Sequence, residues 1–77
     1  NPVVNFVNVE FVAENDANLT IEIYDINGRL VKNEKQVVIT GANKLSSNIE
    51  DFNNGIYFIR ILNDEGLILF TDKLIKE

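Results

Sequence analysis

The side chains in this 77-residue chain that could do chemistry are carboxylates and two serines. Glu50-Asp51, Asp64-Glu65 and Asp16 offer oxygens suited to a general acid or a calcium ligand. All of them fall in polar stretches between apolar runs, where carboxylates form turns and stay solvated. No Asp-x-Asn-x-Asn with a following Gly and Glu can be drawn, so EF-hand spacing is absent. Ser46 and Ser47 lack the usual activating base, because the chain has no His, and it has no Cys to serve as nucleophile, zinc ligand or disulfide partner. No Gly-rich loop resembles a phosphate cradle. Asn18-Leu19-Thr20 matches a glycosylation acceptor, a three-residue pattern frequent by chance. No catalytic, cofactor-binding or metal-binding residue is expected, and the chain reads as a non-enzyme.

The elements that would have to position any site are strands. The hydrophobic content of 45% is that of a folded domain, carried largely by β-branched and aromatic residues. A net charge of −5 argues against nucleic acid or an anionic membrane as partner. No apolar run approaches the roughly 20 residues that a membrane-spanning helix needs. The chain starts at Asn1 without Met, and we expect a single domain over residues 1–77, excised from a longer protein.

Alternation predicts a first strand from Val3 to Val12, with Val3, Val7, Val9 and Phe11 inward and Asn8 and Glu10 outward. Leu19 to Asp25 follows, with Leu19, Ile21 and Ile23 inward and Thr20, Glu22 and Tyr24 outward. Asp25-Ile26-Asn27-Gly28 is a turn, for which a three-residue bulged loop with Gly28 left-handed gives the better register. It pairs Ile23 with Val31, Tyr24 with Leu30 and Glu22 with Lys32, whereas a two-residue loop would bury Lys32 opposite Ile23. Lys32 to Gln36 reads as an edge or loop, Val37 to Thr40 as a short strand, and Gly41-Ala42-Asn43 as a turn.

Leu45, Ser47 and Ile49 continue on one face, with Ile49 and Phe52 plugging the bottom of the core. From Gly55 the strongest strand places Tyr57, Ile59 and Ile61 inward, so Tyr57 is a core ring with its hydroxyl satisfied near the sheet end. Asn63-Asp64-Glu65-Gly66 repeats the first turn and would pair Ile61 with Leu69, Ile59 with Thr71 and Tyr57 with Lys73. That register leaves Phe58, Leu62, Ile68 and Phe70 on an apolar outer face, while Tyr24 and Phe58 point outward on different sheets. Seven short strands at regular intervals predict an all-β, immunoglobulin-like antiparallel sandwich.

Several landmarks then fall in one order: Asn1-Pro2, Ile23 to Val31 with Asp25 and Gly28 at its turn, Gly41-Ala42-Asn43, Asn54-Gly55-Ile56-Tyr57, and the closing Lys73-Leu74-Ile75-Lys76. Together they resemble the type A C-terminal sorting domain of the type IX secretion system of Bacteroidetes. The resemblance covers nearly the whole chain, and Glu77 after Lys76 departs slightly from a basic ending. It implies that an unrelated N-terminal cargo uses this domain as an address for crossing the outer membrane. The protein would then be secreted or held at the cell surface after passing through the periplasm. The implied partners are the outer-membrane translocon and a sortase-like peptidase.

The motif residues Asp25, Gly28, Gly55 and Tyr57 are read as fold determinants. Recognition is placed on the last hairpin: Lys73, Leu74, Ile75 and Lys76 at an open terminal strand, with Phe58, Ile68 and Phe70 on its apolar face, which also offers a weak homodimer contact. An immunoglobulin-like accessory module binding carbohydrate or protein, or a structural spacer, is the alternative.

Overall fold

Strong period-two alternation dictates strands throughout, and the computed structural model contains no helix among its described residues. It describes residues 2–3 and 5–77, residues 2 and 3 by their backbone only. Asn1 and the side chain of Val3 lie outside that description. The strands are β1 (Pro2–Val3), β2 (Phe6–Ala13), β3 (Ala17–Asp25), β4 (Leu30–Val38), β5 (Gly41–Asn48), β6 (Gly55–Leu62) and β7 (Ile68–Lys76). They form a five-stranded sheet in the order β1-β7-β6-β3-β4 and a two-stranded sheet, β2-β5. Six of the strands are full length, and β1 adds two residues in parallel to the end of β7.

The two sheets enclose one core. Leu19, Ile21 and Ile23 of β3 and Tyr57, Ile59 and Ile61 of β6 meet Val7 and Ala13 of β2 and Leu45 of β5. Ile49 is fully buried, and Phe52, whose N–H donates to the Ile49 carbonyl at 3.0 Å, packs on the same cluster. The Tyr57 ring lies 5.0 Å from that of Phe52, and its hydroxyl donates to the Asn53 carbonyl at 2.7 Å. Both the inward placement of Tyr57 and the bottom plug agree with the sequence reading.

The predicted Val3–Val12 strand is instead two pieces that serve different sheets, β1 joining β7 and β2 joining β5. Lys32 to Gln36 is an edge and not a loop, because β4 runs from Leu30 to Val38 as the outermost strand of the five-stranded sheet. Gly41-Ala42-Asn43 is the start of β5, and the chain changes sheet at Ile39-Thr40. Asn43 builds that corner: its Oδ1 accepts the Ile39 N–H and its Nδ2 donates to the Ile39 and Gly41 carbonyls. Asp16 completes it by accepting from the Thr40 N–H and hydroxyl, which gives this loop carboxylate a structural role.

Both hairpin turns have the expected form. Gly28 N–H reaches the Asp25 carbonyl at 3.0 Å and Asp25 N–H reaches the Arg29 carbonyl at 2.9 Å, with Gly28 at φ +83°. Gly66, at φ +82°, and Asn63 repeat these bonds. Tyr24 pairs with Leu30 as expected.

One pair beyond each turn, however, the departing strand inserts a further residue and the register shifts. Ile23 therefore faces Lys32 and Glu22 faces Asn33, instead of Val31 and Lys32. Lys32 is only half-buried there, and its ammonium donates to the Asn48 carbonyl of β5 at 2.6 Å. In the second hairpin Ile61 pairs with Phe70, Ile59 with Asp72 and Tyr57 with Leu74, so every side chain of β7 from Phe70 onward changes face.

Candidate functional site

The second register shift decides what the terminal hairpin presents. Phe70, expected on the outer face, turns inward and packs against the core. Leu74 and Lys76 are likewise buried, at 7% and 6% exposure. Lys73 and Ile75 remain outside, opposite Phe58 and Ile56. The strand does not end open in solvent either, since Pro2 and Val3 of β1 pair with Ile75 and Lys76. Of the residues singled out for recognition, Phe58, Ile68, Lys73 and Ile75 thus share the outer face, while Leu74, Phe70 and Lys76 do not.

That face is more apolar than a solvated sheet requires. Ile56, Phe58, Ile68 and Ile75 are 37%, 43%, 45% and 39% exposed, and Leu30 adds a further 44% from β4. Leu62 lies beside Ile68 and is half-buried. Isolated exposed apolar residues are ordinary on a surface, whereas these lie together on one sheet face as an apolar patch.

Tyr24 and Phe58 do not sit on different sheets. They are direct cross-strand neighbours on β3 and β6, in a row that runs from Leu30 through Tyr24 and Phe58 to Lys73. The next row joins Glu22 to Arg60: Arg60 Nε donates to Glu22 Oε1 at 2.8 Å, and the Tyr24 hydroxyl donates to the same oxygen at 2.8 Å. The Arg60 guanidinium also lies 5.0 Å from the Tyr24 ring centroid.

Partial burial pushes the Glu22 carboxyl up, but the hydrogen bonds from Arg60 and Tyr24 and the Arg60 charge outweigh it and hold the group below its ordinary range. The hydrogen bond to Glu22 correspondingly raises Arg60. The arrangement fixes side chains across the middle of the sheet, and its salt bridge leaves no unpaired acid for catalysis. The alternation that turns Tyr57, Ile59 and Ile61 inward also places Arg60 outside, but its partner is hidden from the sequence because β3 and β6 are distant in the chain and adjacent in the sheet.

Among the motif residues, the Asp25 carboxylate accepts the Arg29 and Asn27 N–H groups at 2.9 Å each and pairs with the Arg29 side chain at 3.1 Å. The Arg29 N–H bond lowers its pKa most; burial, the next largest effect, raises it, and the Asn27 bond and the Arg29 charge bring it down further. Among the described residues no three His, Cys, Asp or Glu side chains converge on a metal-sized site.

A family model described as the secretion system C-terminal sorting domain matches residues 1–77. The chain belongs to that family. The sorting domain is a type IX secretion signal: it directs the polypeptide that carries it across the outer membrane to the cell surface or the exterior, and it is not an enzyme. No curated protein and no solved structure shows significant similarity to the chain.

Proposed function

We propose that the type IX translocon reads the outer face of the sorting domain at the β6-β7 hairpin, through Phe58, Ile68, Lys73 and Ile75. The observation that carries this reading is the row of exposed apolar side chains on that face, flanked by one exposed lysine. A translocon component binds it by covering the apolar side chains, with Lys73 setting register at the rim. Leu74, Phe70 and Lys76 support recognition from beneath by fixing β7 on the core.

On this reading the architecture is an immunoglobulin-like sandwich, and the domain is one unit excised from a longer secreted protein. An N-terminal cargo lies ahead of Asn1, and a sortase-like peptidase separates the two after export. The same apolar face supports a weak homodimer before it is engaged.

Site-specific photocrosslinking tests the surface. A crosslinking phenylalanine analogue at position 58 is expected to capture an outer-membrane translocon component during export, and the same analogue at Glu14 is not. Equal capture from both positions, or capture from Glu14 alone, contradicts the assignment.

One observation favours a second reading as a carbohydrate-binding accessory, namely the adjacency of Tyr24 and Phe58 on one face. Against it, Arg60 already lies over the Tyr24 ring and Glu22 already accepts the hydrogen bond of its hydroxyl. Glycan-array binding that is lost in Tyr24→Ala would favour this second reading over the first.

A further inference from the structure

The exposed strand edges differ in how their free backbone groups are treated. In β5, the Asn48 and Ser46 carbonyls point away from β2 and accept Lys32 Nζ at 2.6 Å and Gln36 Nε2 at 2.7 Å. The edge of β4 is guarded by the polar run Lys32 to Gln36. In β7 the Lys73 N–H is taken by the Asp72 carboxylate at 2.8 Å, and β1 covers the strand's end.

β2 has no such guard. Asn8 and Phe6 pair with Ser46 and Asn48. Because those partners aim their backbone groups outward, antiparallel geometry requires Phe6, Asn8, Glu10 and Val12 to aim theirs outward on the opposite side. Among the described residues none of these outward groups has a protein partner, and Phe6 and Val12 are 54% and 78% exposed.

A groove of about 390 Å³ lies before this edge, between Phe6–Glu10 and the inner face of β6 and β7. Its walls include Ile59, Phe70 and Leu74. The two-stranded sheet stops short of covering Asp72, which pairs with Ile59 and stays exposed on the inner side. Glu10 and Asp72 put two acids on the groove against the single lysine Lys73, in a domain of net charge −5.

We propose that β2 receives an extended, basic peptide segment of a partner polypeptide. The segment adds a third strand to the small sheet, pairing with Phe6 to Val12. Alternate side chains lie on Phe70 and Leu74, and a lysine or arginine meets Asp72. A second copy of this chain is the poorer occupant, because it would bring its own Glu10 and Asp72 to the same acidic groove. Apart from Lys73 at the rim, the site lies on a different surface from the outer face of the terminal hairpin, so either assignment can fail without the other.

The probe is a capped octapeptide alternating valine with lysine, titrated into the isotope-labelled domain, beside a counterpart with glutamate replacing lysine. Amide hydrogen exchange is expected to slow by at least about tenfold at Phe6, Asn8, Glu10 and Val12 with the lysine peptide and not with its counterpart. Asp72→Asn, on an exposed side chain, is expected to weaken binding about tenfold through loss of one charge-assisted contact. Asn8→Pro deletes one outward N–H at a sheet edge where proline is tolerated, and is expected to abolish binding while thermal unfolding stays cooperative. Equal binding of both peptides, no binding of the lysine peptide at millimolar concentration, or protection appearing on β4 or β7 instead overturns the proposal.

Discussion

At Gly28 the backbone sits at φ +83° with open space where a Cβ would project, so a substituent there meets strain and no clash. Gly28→Ala should therefore cost about 1–2 kcal/mol, which at about 4–8 °C per kcal/mol for a domain of this size is a clear drop in Tm. Asp25 beside it accepts the Arg29 and Asn27 N–H groups, and Asn63 holds the corresponding bonds in the second turn as a neutral side chain.

The Asp25 and Glu22 carboxyls both titrate below their ordinary values in the folded protein. Their stabilisation is therefore present above the unfolded values, about 3.9 and 4.3, and is lost as pH falls through the lower folded ones. We expect Tm to decline below about pH 4.5 through these groups. Asp25→Asn should keep the turn and flatten that decline. An unchanged acid limb in Asp25→Asn would show that the carboxylate charge contributes nothing there.

The elements show where a sequence stops determining register. The inner positions Val7, Leu19, Ile21, Ile23, Leu45, Ile49, Tyr57, Ile59 and Ile61 were all legible, because alternation in a half-buried strand is a direct record of burial. Both turns were legible too, since an Asx that accepts two N–H groups and a Gly at positive φ leave a residue signature.

The bulges after the turns leave none: one inserted residue carries no characteristic type, and at β4 the rejected pairing was acceptable because Lys32 finds the Asn48 carbonyl. Pairing of β3 with β6, which makes neighbours of Tyr24 and Phe58, could not be read from local spacing. The register makes a sharp prediction. Phe70→Ala should destabilise by about 2–3 kcal/mol as a partly buried core ring, whereas Ile68→Thr on the outer face should stay within about 0.5 kcal/mol. Urea unfolding of the two variants checks this, and the reverse order would restore the register in which Phe70 faces outward.

For the whole molecule, a five-stranded sheet faced by a two-stranded one buries a single core with its inner side and leaves its outer side exposed. Asp25 and Gly28 shape a turn, Gly55 opens β6 and Tyr57 fills the core, so each has a structural part that involves no partner. The most direct measurement is export of a signal-peptide-bearing reporter fused ahead of residues 1–77, in a host with a type IX system, compared with the same fusion carrying Phe58→Asp and Lys73→Glu. The intact fusion should reach the surface or medium, and the variant, shown by circular dichroism to be folded, should remain in the periplasm. Equal export of the two would contradict recognition at this face, and periplasmic retention of the intact folded fusion would contradict the address itself.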